Sequence, residues 1–77
     1  MKEIIVERLK EGLPIVFART EVDKLTGGAL KARTLANWHS QGKGPDFVRD
    51  GKRVVYEKES FIQWYAERLK EAVSGGY

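Results

Sequence analysis

The spacing of apolar residues along the chain changes repeatedly, and each change marks a predicted element. In Lys2–Glu11 the pair Ile5 and Leu9 sits four apart, with Ile4, Val6 and Leu13 nearby, and Gly12 and Pro14 follow as stop signals. Residues four apart share a helical face, so this spacing predicts a helix. The β-branched run Ile4-Ile5-Val6 also suits a strand. Pro14-Ile15-Val16-Phe17 reads as short and extended. Thr20 opens a second helix of about two turns. Thr20-Glu21-Val22-Asp23 resembles a capping box with aspartate in the glutamate position, Val22 and Leu25 give the buried stripe, and Gly27-Gly28 end it.

Ala32–Gln41 reads as a third helix, with Leu35 and Trp38 on its inner face, Leu30 just ahead and Gly42 just beyond its end. The opposite face carries Arg33, Ala36, Asn37 and Ser40 at i, i+3, i+4 and i+7. That is one helical stripe, polar except for Ala36 and suited to lying against a polar partner. The period then shortens. Phe47–Arg49 and Lys52–Tyr56 read as two strands joined by an Asp50-Gly51 turn, a strong hairpin signal. A two-residue loop puts Phe47, Arg49, Lys52, Val54 and Tyr56 on one face and Val48, Arg53 and Val55 on the other. Both faces mix apolar and basic residues; Phe47, Val54 and Tyr56 are expected to point inward. On either choice the tip carries Arg49, Lys52 and Arg53. Helical spacing returns from Lys58 to Val73. Phe61, Ile62, Trp64, Tyr65, Leu69, Ala72 and Val73 form a broad apolar face opposite Gln63, Glu67, Lys70 and Glu71, and residues 74–77 read as a frayed tail.

These elements sum to one domain over residues 1–77: an accessory helix at 1–13, a core at 17–73 and the tail. A chain this short buries only about 60% of its unfolded surface, so the core is small. The chain has no cysteine and a single histidine, so neither a disulfide framework nor a zinc site is expected. Absence of cysteine fits a reducing cytoplasm. No apolar run approaches the roughly 18 residues that span a bilayer. The opening MKEIIVERLKE interleaves acids with its apolar residues, unlike a secretory leader.

Charge adds one point that periodicity does not. The formal net charge is +3, yet residues 1–28 are balanced and residues 59–77 sum to −1. Residues 29–58 hold seven basic and three acidic side chains, a net +4. The excess positive charge therefore lies on the third helix and the hairpin, which attracts a polyanion, most commonly nucleic acid.

Candidate chemistry narrows the field further. A Walker-type loop needs Gly-x-x-x-x-Gly-Lys-Ser/Thr between a strand and a helix. Gly42-Lys43-Gly44 is followed by Pro45 and preceded by a helix, and a dinucleotide fingerprint would need glycine where Phe47 stands. His39 and Ser40 are adjacent, so on a helix they point about 100° apart and form no nucleophile–base pair. His39 reads as a packed or capping residue near a helix C-terminus, where a cation also suits the helix dipole. Trp38 and Trp64, at helical spacing from other apolar residues, read as core rather than as base-stacking platforms. No enzyme activity, cofactor or metal is expected.

The run from about Phe17 to Tyr65 resembles the excisionase and AlpA-like group of small phage-type DNA-binding domains, which are distantly similar to MerR-type N-terminal domains. The residues that carry the resemblance are Arg33-Thr34-Leu35, Trp38, Gly42, Gly44-Pro45, Gly51-Lys52-Arg53-Val54-Val55-Tyr56 and Phe61 to Trp64. It covers about two thirds of the chain and rests on order and spacing rather than on one motif. The fold it implies is mainly α with a small β-hairpin, a winged helix-turn-helix built of helix, helix-turn-helix, two-stranded wing and C-terminal helix. It implies sequence-specific binding of double-stranded DNA, with recognition helix 32–41 in the major groove and wing 46–56 on phosphate or the minor groove. Arg33, Thr34, Asn37, Ser40 and Gln41 would face the groove or its phosphate walls, and Arg49, Lys52 and Arg53 would be wing contacts. Lys43, between the two elements, joins the candidate DNA-binding set. Two positions depart from the pattern. Ala36 stands where MerR-like relatives commonly carry an arginine, and Lys31 where a serine or aspartate cap is common. The role implied is that of a phage or mobile-element factor or transcriptional regulator in a bacterial or phage-infected cytoplasm. It would work with a recombinase or the transcription machinery, as a homodimer or as cooperative copies, and without a membrane. The alternative is a protein-interaction module that keeps the winged fold without DNA binding.

Overall fold

The computed structural model describes the backbone of residues 1–74 and the side chains of residues 1–69. Within them the chain forms four α-helices and a three-stranded antiparallel sheet, an arrangement compatible with a winged-helix-like fold. The order is α1 (Lys2–Gly12), β1 (Val16–Ala18), a 3-10 turn (Arg19–Glu21), α2 (Val22–Leu25), α3 (Ala32–Ser40), β2 (Val48–Asp50), β3 (Arg53–Glu57) and α4 (Lys58–Ser74).

The helical reading of the first segment holds, and the strand alternative for Ile4-Ile5-Val6 does not. Leu13 is buried, and Val6 and Leu9 pack partly buried against the core; this helix lies along α4. The next expectation needs correction. Thr20 caps no helix, because the chain turns directly out of β1: Ala18 is the last extended residue and Thr20 already lies inside the 3-10 turn. The capping-box contact is therefore absent, and Asp23 faces Lys31 at 3.4 Å instead. α2 is a single turn, shorter than expected, and α3 stops at Ser40, one residue early.

Both helix stops have a physical form. After α2, Gly28 N–H donates to the Asp23 carbonyl at 2.8 Å and Gly27 N–H to that of Lys24 at 3.2 Å. After α3, Lys43 N–H donates to the Trp38 carbonyl at 2.8 Å and Gly42 N–H to that of His39 at 3.0 Å. These are Schellman closures, which consume otherwise unpaired carbonyls at a helix end. The second requires a left-handed residue, supplied by Gly42 at φ +72°. The Thr26 hydroxyl ties the first turn, donating to the Val22 carbonyl at 2.8 Å and accepting Leu30 N–H at 3.1 Å. Gly44 passes so close to α3 that a Cβ there would lie 3.4 Å from the His39 backbone nitrogen.

The sheet differs from a two-stranded wing. Its order is β1-β3-β2, so the short extended segment before the helices becomes an edge strand, with Phe17 opposite Tyr56. The hairpin turn also sits one residue later than expected, which moves each cross-strand partner by two and keeps the faces. Asp50 pairs with Arg53 and Arg49 with Val54, which leaves Gly51-Lys52 as the two-residue loop in place of Asp50-Gly51. Gly51 has φ +64°, and among the described residues no non-glycine residue has positive φ. A turn with glycine alone in the first central position is of the II′ kind, whereas an Asp50-Gly51 turn of type I′ would force positive φ on Asp50. Alternation still puts Val54 and Tyr56 inward, as expected. Phe47 does not follow them: it precedes the strand and is 40% exposed.

The core gathers Leu13, Phe17, Val22, Leu30, Leu35, Val54, Tyr56, Phe61 and Ile62. At its centre Phe17 meets Phe61 edge-on at 5.0 Å, and Tyr56 lies 5.5 Å from Phe61 and 6.0 Å from Phe17. Trp38, Trp64 and Tyr65 pack on its flank, half-buried. Ala72, Val73, Lys70 and Glu71, placed by sequence on the two faces of the last helix, have side chains outside the described residues. So do the tail positions 75–77, while Ser74 closes α4 rather than opening a tail. Among the described residues no helix is long and apolar enough to cross a membrane.

Glu57 caps α4. Its carboxylate accepts the backbone N–H groups of Glu59 at 2.9 Å and Ser60 at 3.0 Å, and the Ser60 hydroxyl at 3.0 Å. The two backbone donors, Glu59 first, hold its carboxyl below the ordinary 4.5. A carboxyl depressed in the fold stabilises it fully above the unfolded value and stops doing so as pH falls through the folded value. Glu57→Gln is therefore expected to narrow the gap in melting temperature between pH 7 and pH values below about 4, as read by circular dichroism. A gap as wide as that of the parent chain would place the acid sensitivity elsewhere. Phe61→Ala is expected to cost about 3–5 kcal/mol by urea titration, because Phe61 is fully buried between two other rings.

Candidate nucleic-acid interface

α3 is held from below by Leu35, which is fully buried, and from its end by the Schellman closure. What it leaves outside is the polar stripe. Arg33, Asn37 and Ser40 are exposed, Ala36 is half-buried, and Gln41 is exposed just past the helix. Ser40 spends its proton locally, donating to the Asn37 carbonyl at 2.8 Å, so it meets a partner mainly as an acceptor. Thr34 separates from this set. It sits half-buried in a groove with Trp38, Tyr65 and Arg68, roughly 100° round the helix from Arg33. Lys31, at the helix start, makes no side-chain cap.

The hairpin presents its cations in three directions. Arg49 shares the Val54 face, Arg53 stands on the opposite face across from Asp50, and Lys52 occupies the turn. All three are exposed, as is Lys43 in the link from α3. Lys52 and Arg53 also line a cleft of about 200 Å³ with Arg19 and Thr20 from the 3-10 turn, and among the described residues no acidic side chain lines it. The two ion pairs among the described residues are Met1–Glu3 and Lys31–Asp23. Neither engages Arg33, Lys43, Arg49, Lys52 or Arg53.

Sequence reasoning missed Arg19. Its Nε donates to the Tyr56 hydroxyl at 3.2 Å, and its Nη2 lies 2.6 Å from His39 Nδ1. Arginine has only donors, so Nδ1 is the acceptor in this contact, and Arg19 brings its positive charge near the C-terminus of α3. The other side of the ring lies against Phe47, centroids 4.2 Å apart. Phe47 is half-covered at the hairpin base, and Arg19 links β3 to α3 through two side chains. The partners lie 37 and 20 residues away in sequence. No periodicity carries a signal over such separations; the one local hint is an arginine immediately after an apolar strand.

Trp64 Nε1–H donates to the Lys43 carbonyl at 3.1 Å, which pins the link to α4. Trp38 packs against Trp64 at 5.7 Å, with the Arg68 guanidinium 3.7 Å from its ring centroid. Neither indole is thus a free platform for a base. Among the described residues no group of three or more histidine, cysteine, aspartate or glutamate side chains could hold a metal ion. Comparison with known protein families, with characterised proteins and with solved structures returns no match.

Removal of the Arg19 side chain in Arg19→Met is expected to cost about 1–3 kcal/mol, since it leaves the Tyr56 hydroxyl and His39 Nδ1 without their donor. In a double-mutant cycle by urea unfolding, Arg19→Met with His39→Ala should lose less than the sum of the two single losses, the His39–Phe47 contact being what His39→Ala still removes on the Arg19→Met background. Additive losses would show that the two residues act separately.

Proposed function

We propose that the chain is a sequence-specific double-stranded DNA-binding module of winged helix-turn-helix type, and that it catalyses no reaction. The observation that carries this reading is the set of five exposed cations, Arg33, Lys43, Arg49, Lys52 and Arg53, none in an ion pair among the described residues. They lie along one helix, the link after it and the hairpin that follows. Exposed cations without protein partners are neutralised by a phosphate backbone with release of counterions. α3 then acts as the recognition helix. Arg33 can pair bidentately with guanine and Asn37 with adenine, each worth about 1–3 kcal/mol of discrimination. The hairpin supplies phosphate or minor-groove contacts through Arg49, Lys52 and Arg53, while Gln41 and Ser40 reach the groove wall. Arg19, fixed by Tyr56 and His39, sets the angle between helix and hairpin. Such a module fits a phage or mobile-element factor, excisionase-like or regulatory, in a bacterial cytoplasm. Its small surface favours several copies on one site, beside a recombinase or the transcription machinery.

A second reading, a protein-interaction module without DNA binding, is favoured by Ala36, a methyl group in the middle of the polar stripe. A salt series separates the two. Binding to random duplex DNA is expected at about 50 mM salt and should weaken steeply as salt rises. Absence of binding there would refute the DNA reading. Arg53→Ala should flatten the logarithmic salt slope by about one unit, whereas Asn37→Ala should change the sequences selected from a random pool.

A further inference from the structure

A groove between α3 and α4 lies outside the surface assigned to DNA. Leu30, Trp38 and Tyr65 supply its apolar lining, Thr34 adds one hydroxyl, and Lys31 and Arg68 bring two cations. Its volume is about 520 Å³, and among the described residues no acidic side chain lines it. Asp23 touches Lys31 from outside at 3.4 Å. Both partners are about half exposed or more, at 62% and 48%, and an exposed pair of this kind is worth little and exchanges readily. Trp38 lies about 140° round α3 from Arg33, so an occupant of the groove does not compete with a duplex on the polar stripe.

From this geometry we infer that the groove between α3 and α4 docks an acidic, amphipathic peptide segment of a partner protein. Bulky apolar side chains would fill the space over Leu30, Trp38 and Tyr65, and carboxylates would meet Lys31 and Arg68. Charge complementarity selects this occupant over a basic or neutral segment, for which the two cations would be repelled or stripped of water without compensation. The state of Trp38 selects it over single-stranded nucleic acid. A base needs a free aromatic face, and this ring is already engaged by Arg68 at 3.7 Å and Trp64 at 5.7 Å. The inference does not rest on DNA binding and extends beyond it: a module anchored on DNA would hold a second protein beside it.

The test is selection of random short peptides displayed on phage against the full chain, followed by titration of a synthetic peptide from the enriched set. Enriched sequences should combine aspartate or glutamate with leucine, phenylalanine or tryptophan. The synthetic peptide should shift the emission of the tryptophans. Lys31→Gln and Arg68→Gln each remove one exposed cation without setting a carboxylate beside Asp23 or Trp38; both should remain folded at the assay temperature by circular dichroism and bind the peptide about tenfold more weakly. No enrichment, enriched sequences without acids, or affinity indifferent to both substitutions would overturn the inference. So would displacement of the peptide by a short single-stranded oligonucleotide. Arg33→Ala and Arg53→Ala strike the duplex surface and should leave peptide affinity unchanged, so failure of the DNA reading and failure of this one are separately visible.

Discussion

The Tyr56 hydroxyl is the constraint around which the rest of the molecule is arranged. Its ring is sealed with Phe17 and Phe61 at the centre of a core that has few other large side chains to spend. A buried hydroxyl without a partner costs about 1–3 kcal/mol, a large share of what a chain this small can hold. Arg19 meets that demand from the rim, and its remaining donors then fix His39 on α3. One polar atom at the edge of an apolar centre thereby couples sheet, helix and hairpin. The core alone, being non-directional, would hold these elements together without fixing their angle.

That coupling separates two kinds of cation. Arg19 lines the same cleft as Lys52 and Arg53, but its guanidinium is committed inside the protein. The hairpin arginines and lysine have no such internal work. A rigid backbone carrying uncommitted charge suits recognition of a polyanion, because only the side chains and not the backbone must order on contact. The α3–α4 groove has the opposite character, apolar with a cationic rim, and lies round the helix from the charged stripe.

Much of this was legible in the chain. The helices announced themselves by period, and the stripe of Arg33, Asn37 and Ser40 followed from a spacing that packing could only confirm. Gly27 and Gly42 marked stops because a Schellman closure needs what glycine permits. What escaped depended on single-residue or long-range choices. The hairpin slipped by one residue because Asp-Gly and Gly-Lys both make two-residue loops, and only the sign of φ at Asp50 separates them. Phe47 was assigned inward because alternation gives a side chain's face but not whether the core reaches that far. Thr34 was grouped with its neighbour Arg33, although adjacent helical residues look in different directions. Thr20 looked like a cap because the chain's exit from β1 straight into a 3-10 turn leaves no trace in composition. The pairing of β1 with β3 spans the whole helical region, and no local pattern encodes it.

The close passage of Gly44 over the end of α3 has a consequence for how such a chain can vary. The link from α3 to the hairpin is held at Gly42 and Lys43, by the Schellman closure and by the Trp64 bond to the Lys43 carbonyl, and a side chain at Gly44 would press on the helix end. An inserted residue there would unseat the hairpin from the helix. At the hairpin tip there is open space instead, as a Cβ at Gly51 would meet no atom within 4 Å. Length is therefore free to change at the hairpin tip and fixed at its root, so drift in loop length would alter how far the hairpin reaches while leaving its direction intact.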